Sequence, residues 1–221
     1  MRHPWALLVL LAVMVSCSSG TGLEKGNLTL TEDLSWAETT LPPSPSDTAG
    51  NLGLAGVYSG MIGDRLVVAG GANFPKGLPS AGGPKVWYSD VYTYDRDSGW
   101  RCWPGALGKE SAYGVTVPFE GGLLLIGGCR AEECLPEIRL LRLDPEGRPS
   151  VEEWGSLPMP LSNMAGGAIG SKVYLAGGIS SMDSTQKALD VFLSLDLRTR
   201  TCKTLPWPDA PPRAFAVGAG T

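Results

Sequence analysis

Three times the chain writes an apolar run that closes on two glycines: LVVAGG at residues 66–71, LLLIGG at 123–128 and VYLAGG at 173–178. The pairs are 57 residues apart from Gly70 to Gly127 and 50 apart from Gly127 to Gly177. A period near fifty is the mark of kelch repeats, in which one four-stranded sheet recurs around a central axis. A single sheet of this kind cannot bury its own faces, so each unit must stack on the next. The spacing therefore predicts an all-β fold, a kelch-type β-propeller.

Each unit reads strand by strand. The first has apolar stretches at 57–62 and 65–69 across a Gly63-Asp64 turn, then β-formers at 91–95 before Trp100. The second repeats this at 113–119, 123–126 and 138–144 before Trp154, and the third at 165–169, 172–176, 190–197 and 201–207. Cys202 stands roughly where the earlier units carry tryptophan. Trp100 and Trp154 are expected to pack one blade on the next, tryptophan supplying large apolar area. The glycine pairs are expected where the backbone turns and a side chain would collide, since Gly permits positive φ. Three complete blades fill about residues 55–207, and 213–220 reads as the first strand of a fourth. Propellers close with about four to eight blades, so the chain reads as the N-terminal part of a longer, partial ring. The expected organisation is a leader at 1–17, a tether and approach at 18–52, and the partial propeller at 53–221.

The leader is an apolar stretch, residues 5–15 behind Arg2, too short to span a bilayer. It ends Met14-Val15-Ser16-Cys17 and then Ser18-Ser19-Gly20, which resembles a bacterial lipobox. Lipidation of Cys17 is expected, with export to the bacterial periplasm or anchoring at the outer membrane as a lipoprotein. The bland alternative is a simply cleaved signal. The anchor is the only membrane contact expected. A formal net charge of -4 gives no basic footprint, so no nucleic-acid partner is expected. Cys129 and Cys134 share one loop and could bridge locally or remain thiols, whereas Cys102 and Cys202 fall in non-neighbouring blades. The one histidine is His3, inside the leader, and no Cys-x-x-Cys pair occurs, so neither a Ser-His-Asp triad nor a metal site is expected.

In a four-stranded antiparallel blade, the connections between strands two and three and between blades emerge at one end. The long polar segments 72–86, 129–137 and 179–189 all fall in that class, as do the interblade stretches 104–112, 158–164 and 208–213. The mouth on that face is the default pocket. Donors and charges on it include Asn73, Lys85, Glu110, Arg130, Asn163, Asp183 and Arg213.

Two stretches carry a more specific likeness. AGGANFPKGLPSAGGPKVWYSDVYTYD at 69–95 and SAYGVTVPFEGGLLLIGG at 111–128 resemble the N-acetylneuraminate epimerase family, the sialic acid mutarotases built on a kelch propeller. The order of blades is similar to the cyclically permuted branch, because LPMPLSNMAGGAIGSKVYLAGG at 157–178 resembles the first blade of the unpermuted enzyme. The likeness covers about residues 54–221. It implies an isomerase that opens and recloses a sugar ring by acid/base chemistry, with sialic acid or a related sugar as partner and no cofactor. A cationic side chain is expected to hold the sugar carboxylate, arginine being the best geometric match. On the elaborated face Asn73, Lys85, Trp87, Glu110 and Arg213 are the substrate-binding candidates, with Lys85 expected to bind an anion and Trp87 to be a pocket wall or a blade-packing residue. The family's catalytic glutamate and arginine match no position here and are expected beyond Thr221. Ser111 stands where the family commonly has arginine. The competing expectation is a non-catalytic kelch module that binds a glycan or a protein at the cell surface.

The leader reading has a direct check. Cys17→Ala should move the protein from the membrane to the soluble fraction on cell fractionation, and continued membrane association of the variant would refute lipidation at this cysteine.

Overall fold

The structure is a computed structural model that describes Pro42 and residues 53–218. The expected leader with Cys17 and, Pro42 apart, the expected tether fall outside the described residues. All described residues belong to one unit, Thr39–Thr221.

The first blade contains β1 (Tyr58–Ile62) and β2 (Arg65–Ala69), a projecting pair β3 (Ala72–Asn73) and β4 (Val86–Trp87), then β5 (Val91–Asp95) and β6 (Gly99–Trp103). The second is β7 (Val115–Phe119), β8 (Gly122–Ile126), β9 (Glu137–Leu143) and β10 (Pro149–Ser156). The third is β11 (Ala165–Ile169), β12 (Lys172–Ala176), β13 (Phe192–Asp196) and β14 (Thr201–Thr204). Each blade is a four-stranded antiparallel meander, in the orders β1-β2-β5-β6, β7-β8-β9-β10 and β11-β12-β13-β14. This is the kelch-type propeller that the repeat predicts, with β1, β7 and β11 innermost and adjacent across blades.

Strand β8 shows why the blades stack. It is buried along its whole length, since alternate side chains face opposite neighbours. Leu123 and Leu125 join Tyr58, Val67 and Val91 of the first blade. Leu124 and Ile126 join Val173, Leu175 and Leu193 of the third. A middle blade therefore reads as a continuous apolar run, LLLI, rather than an alternation.

The glycine pairs lock this stack. In each, both residues have positive φ: Gly70 63° and Gly71 96°, Gly127 59° and Gly128 106°, Gly177 70° and Gly178 98°. The second glycine of each pair donates its N–H across the blade boundary, Gly71 to Ser111 O at 2.9 Å, Gly128 to Leu161 O at 2.8 Å and Gly178 to Arg213 O at 2.7 Å. A Cβ on the first glycine would collide with that same carbonyl oxygen at all three boundaries. The pair is thus an interblade clasp as well as a turn. Residues 213–218 continue the pattern towards a fourth unit, Phe215 N donating to Asn163 O and Gly218 lying against the Gly166 backbone.

The tryptophans divide differently from expectation. Trp154 is buried between the second and third blades, edge-on to Phe119 at 5.4 Å, with the Arg200 guanidinium 4.9 Å from its ring. At the first boundary, however, Trp103 rather than Trp100 packs against the interblade cluster. The two are three residues apart on one strand and so face opposite sides. Trp100 instead stacks on its cross-strand partner Tyr94 at 5.1 Å.

Gly127→Ala should cost substantially more than Gly170→Ala, although both replace a glycine at φ near 60°. Gly170 has open space where a Cβ would go, so only the left-handed backbone penalty of about 1–2 kcal/mol applies. At Gly127 the collision with Leu161 O adds to it. Equal denaturation midpoints for the two variants would contradict the clasp.

Candidate functional site

Loop 70–90 is the longest connection of the first blade and does not run free. Its ends pair as β3 and β4, Ala72 opposite Trp87 and Asn73 opposite Val86. The pairing is pinned by side chains: Asn73 Nδ2 donates to Gly53 O at 3.0 Å and receives the Tyr88 hydroxyl on Oδ1 at 2.7 Å. The loop is therefore held at the elaborated end of the disc, beside the entrance to β7.

This hairpin presents Lys85 to an aromatic box. The ammonium lies 4.2 Å from the Tyr113 ring centroid, 5.0 Å from that of Trp87 and 5.9 Å from that of Phe74. Ring faces attract a cation, worth about 0.5–1 kcal/mol where the site is exposed and about 2 kcal/mol where it is desolvated. None of the ion pairs among the described residues uses Lys85. Its charge is held in place and left available to an anion.

Beneath the box lies Cys129, fully buried and clustered with Cys134 and Ile179, with Tyr113 packed against them. Both cysteines are free thiols. Burial pushes the Cys129 thiol up; the Trp87 indole, the Ser162 hydroxyl and the Lys85 charge pull the other way without reversing it. Burial raises Cys134 too, although its Sγ is 3.3 Å from Ser162 Oγ. Tyr113, Asn73, Phe74 and Leu78 line an open cleft of about 530 Å³ beside the box.

Of the sequence candidates, Asn73, Lys85 and Trp87 are brought together. Glu110 is exposed on the 104–114 connection, and Arg213 is exposed with its backbone engaged in the third clasp. Arg130 is ion-paired with Glu133, and Asp183 accepts from the Thr185 N–H at 2.8 Å. At Ser111, Arg139 supplies a guanidinium from β9, donating from Nη2 to the serine Oγ at 2.6 Å and from Nη1 to Leu107 O at 3.4 Å. A second cleft, about 240 Å³ between the first two blades, sets Lys109, Arg130 and Arg139 against Glu137, Glu152 and Glu153. Balanced charge gives it no net attraction for an anion, unlike the Lys85 box. Sequence reading missed Tyr113, Phe74 and Cys129, whose roles come from where the hairpin lands; the AYGV stretch was the one signal for Tyr113.

Fold and mouth together define a kelch-type propeller with a cationic, aromatic-walled candidate ligand site at one end. The family model described as N-acetylneuraminate epimerase matches residues 20–147, and the chain belongs to this family. Among curated relatives, the N-acetylneuraminate epimerase of Brucella suis is 35% identical over 119 residues, covering 49% of this chain and 30% of the relative. That of Vibrio vulnificus is 34% identical over 108 residues, covering 44% and 27%. N-acetylneuraminate epimerase 1 of Escherichia coli O6:H1 is 32% identical over 104 residues, covering 43% and 26%. The chain thus spans under a third of the length of these relatives. The solved structure of YjhT superposes with a TM-score of 0.58 at 17% identity, over 72% of this chain and 54% of that one, and shares its fold.

The buried thiols set a pH dependence. In the unfolded chain they ionise around pH 8.5, whereas folding holds Cys129 and Cys134 protonated to higher pH. Above the ordinary thiol range the unfolded state binds fewer protons, so stability falls as pH rises. Denaturation midpoints should hold between pH 7 and 8 and decline above about pH 9; a midpoint that rises through that window would contradict the burial.

Proposed function

We propose that the full protein is a sialic acid mutarotase, interconverting the anomers of N-acetylneuraminic acid. The observation that carries this reading is the family match over residues 20–147, which includes the loop that builds the Lys85 box. The substrate is an acidic sugar whose carboxylate sits on the anomeric carbon. A base removes the proton of the anomeric hydroxyl, an acid protonates the ring oxygen, and the bond between ring oxygen and anomeric carbon breaks to give the open keto acid. Rotation and reclosure by the reverse steps deliver the other anomer. Protons are exchanged and no electrons are transferred, so the chemistry needs neither metal nor redox cofactor.

In this scheme Lys85 holds the sugar carboxylate and Trp87 and Tyr113 wall the ring, while Asn73 braces the hairpin that carries the lysine. Glu110 and Arg213, on connections at the same end, are further candidate contacts for the sugar. The acid and base are assigned to the part of the protein beyond Thr221. Export and a lipid on Cys17 would place the reaction outside the cytoplasm, where sialic acid released from glycans is met.

The intact wild-type protein should accelerate exchange between the two anomers of N-acetylneuraminic acid, measured by NMR. Lys85→Ala should raise KM about tenfold or more, since a lost charged contact is worth about 1.5–3 kcal/mol, while stability changes by under about 2 kcal/mol. No acceleration by the wild type would transfer the case to a non-catalytic glycan- or protein-binding propeller; an unchanged KM in Lys85→Ala would remove the lysine from the site.

A further inference from the structure

At the mouth the backbone repeats a strained device once per blade. Gly56, Tyr113 and Asn163 stand two residues before β1, β7 and β11, and Phe215 takes the same place in the next unit. All four have left-handed backbone, with φ of 65°, 63°, 54° and 59°. Each N–H donates to the residue before it in the series: Tyr113 to Gly56 O at 2.7 Å, Asn163 to Tyr113 O at 2.8 Å, Phe215 to Asn163 O at 2.8 Å. The result is a ladder of hydrogen bonds running from blade to blade at the entrance of the innermost strands.

Left-handed backbone is unfavourable for side chains other than glycine, and such strain collects at ligand sites. Three of the five non-glycine positive-φ residues described are on this ladder, while Glu120 and Arg200 sit in turns at the opposite end. Glycine at 56 and asparagine at 163 are residue types that adopt this backbone readily, whereas Tyr113 and Phe215 are not; at Gly56 a Cβ would run into the Tyr113 ring. At Tyr113 the ring packs on the buried Cys129 cluster, whereas at Asn163 glycine would serve the backbone equally well. Tyr113 is the ring nearest the Lys85 ammonium. Asn163, one rung further round, is half-buried; its Nδ2 donates to Ser162 Oγ at 3.1 Å, and its Oδ1 accepts no hydrogen bond among the described residues.

We propose that Asn163 is a specificity-determining residue of the mouth, its amide oxygen accepting from a hydroxyl or amide N–H of the same acidic sugar whose carboxylate Lys85 holds. Tyr113 between them packs on the apolar face of that sugar. This inference rests on the mutarotase reading for the identity of the sugar. It assigns to the third blade a role in recognition that neither glycine pairs nor the match over residues 20–147 indicates.

The test uses glycine, the residue the local backbone prefers. In the intact protein, Asn163→Gly removes the amide and relieves the strain, so its melting temperature should equal or exceed that of the wild type. Its affinity for N-acetylneuraminic acid by calorimetry should fall about tenfold, the size of one hydrogen bond lost from a ligand. A merely structural residue would show the reverse pattern. Should Asn163→Gly fail to fold, Asn163→Asp decides, since aspartate also tolerates this backbone and sets a carboxylate against an anionic sugar; it should bind more weakly. Wild-type affinity in the folded variant overturns the proposal alone, whereas absence of binding by the wild type overturns the mutarotase reading and this proposal with it.

Discussion

The architecture depends on one contact repeated three times: the backbone of a glycine pair lying directly on a carbonyl of the following blade. Gly70, Gly127 and Gly177 leave room for the oxygens of Ser111, Leu161 and Arg213, and the next glycine in each pair donates to the same oxygen. Because Cβ-free backbone is required on one side and a bare carbonyl on the other, the distance between blades is set by main chain and not by side-chain volume. The apolar stripes of β7 to β9 then meet their neighbours in register. Tyr58 adds a related tie, its hydroxyl donating to Gly127 O at 2.5 Å across the first boundary.

The clasp also explains where chemistry can occur. It fixes the backbone at the elaborated end of the disc, and two residues after each clasped carbonyl the chain passes through a left-handed residue before entering the innermost strand. The loop of the first blade is braced there by Asn73 and Tyr88, which brings Lys85 against the Tyr113 ring of the second. A lysine held against three rings has lost much of its conformational freedom. That is a suitable seat for a carboxylate, because little ordering remains to be done when the anion arrives.

Much of this was legible in the sequence. The glycine-pair period predicts the blades, their strands and the loop-rich face, because each feature follows from local patterning of period two and from glycine's tolerance of positive φ. The likeness to the N-acetylneuraminate epimerases rests on the 69–95 stretch, whose Asn73, Lys85 and Trp87 do converge. What escaped reading depends on contacts between blades. Trp103 and Trp100 differ only in which face of β6 they occupy, and a shift of that strand's register would exchange them. Tyr113 looks like an ordinary strand-entry residue until its φ is known, and Asn163, counted among the donors of that face, shows no sign in the sequence of its place on the same ladder. Glu110 and Arg213 lie on connections at the same end of the disc, yet loop membership does not say which way a side chain turns.

The most direct test of the account is a crystal structure of the intact protein with N-acetylneuraminic acid bound. The account predicts the sugar at the mouth above β1, β7 and β11, its carboxylate within about 3 Å of Lys85 Nζ and its ring against Tyr113. Sugar bound in the charge-balanced cleft between the first two blades, or on the opposite end of the disc, would contradict it.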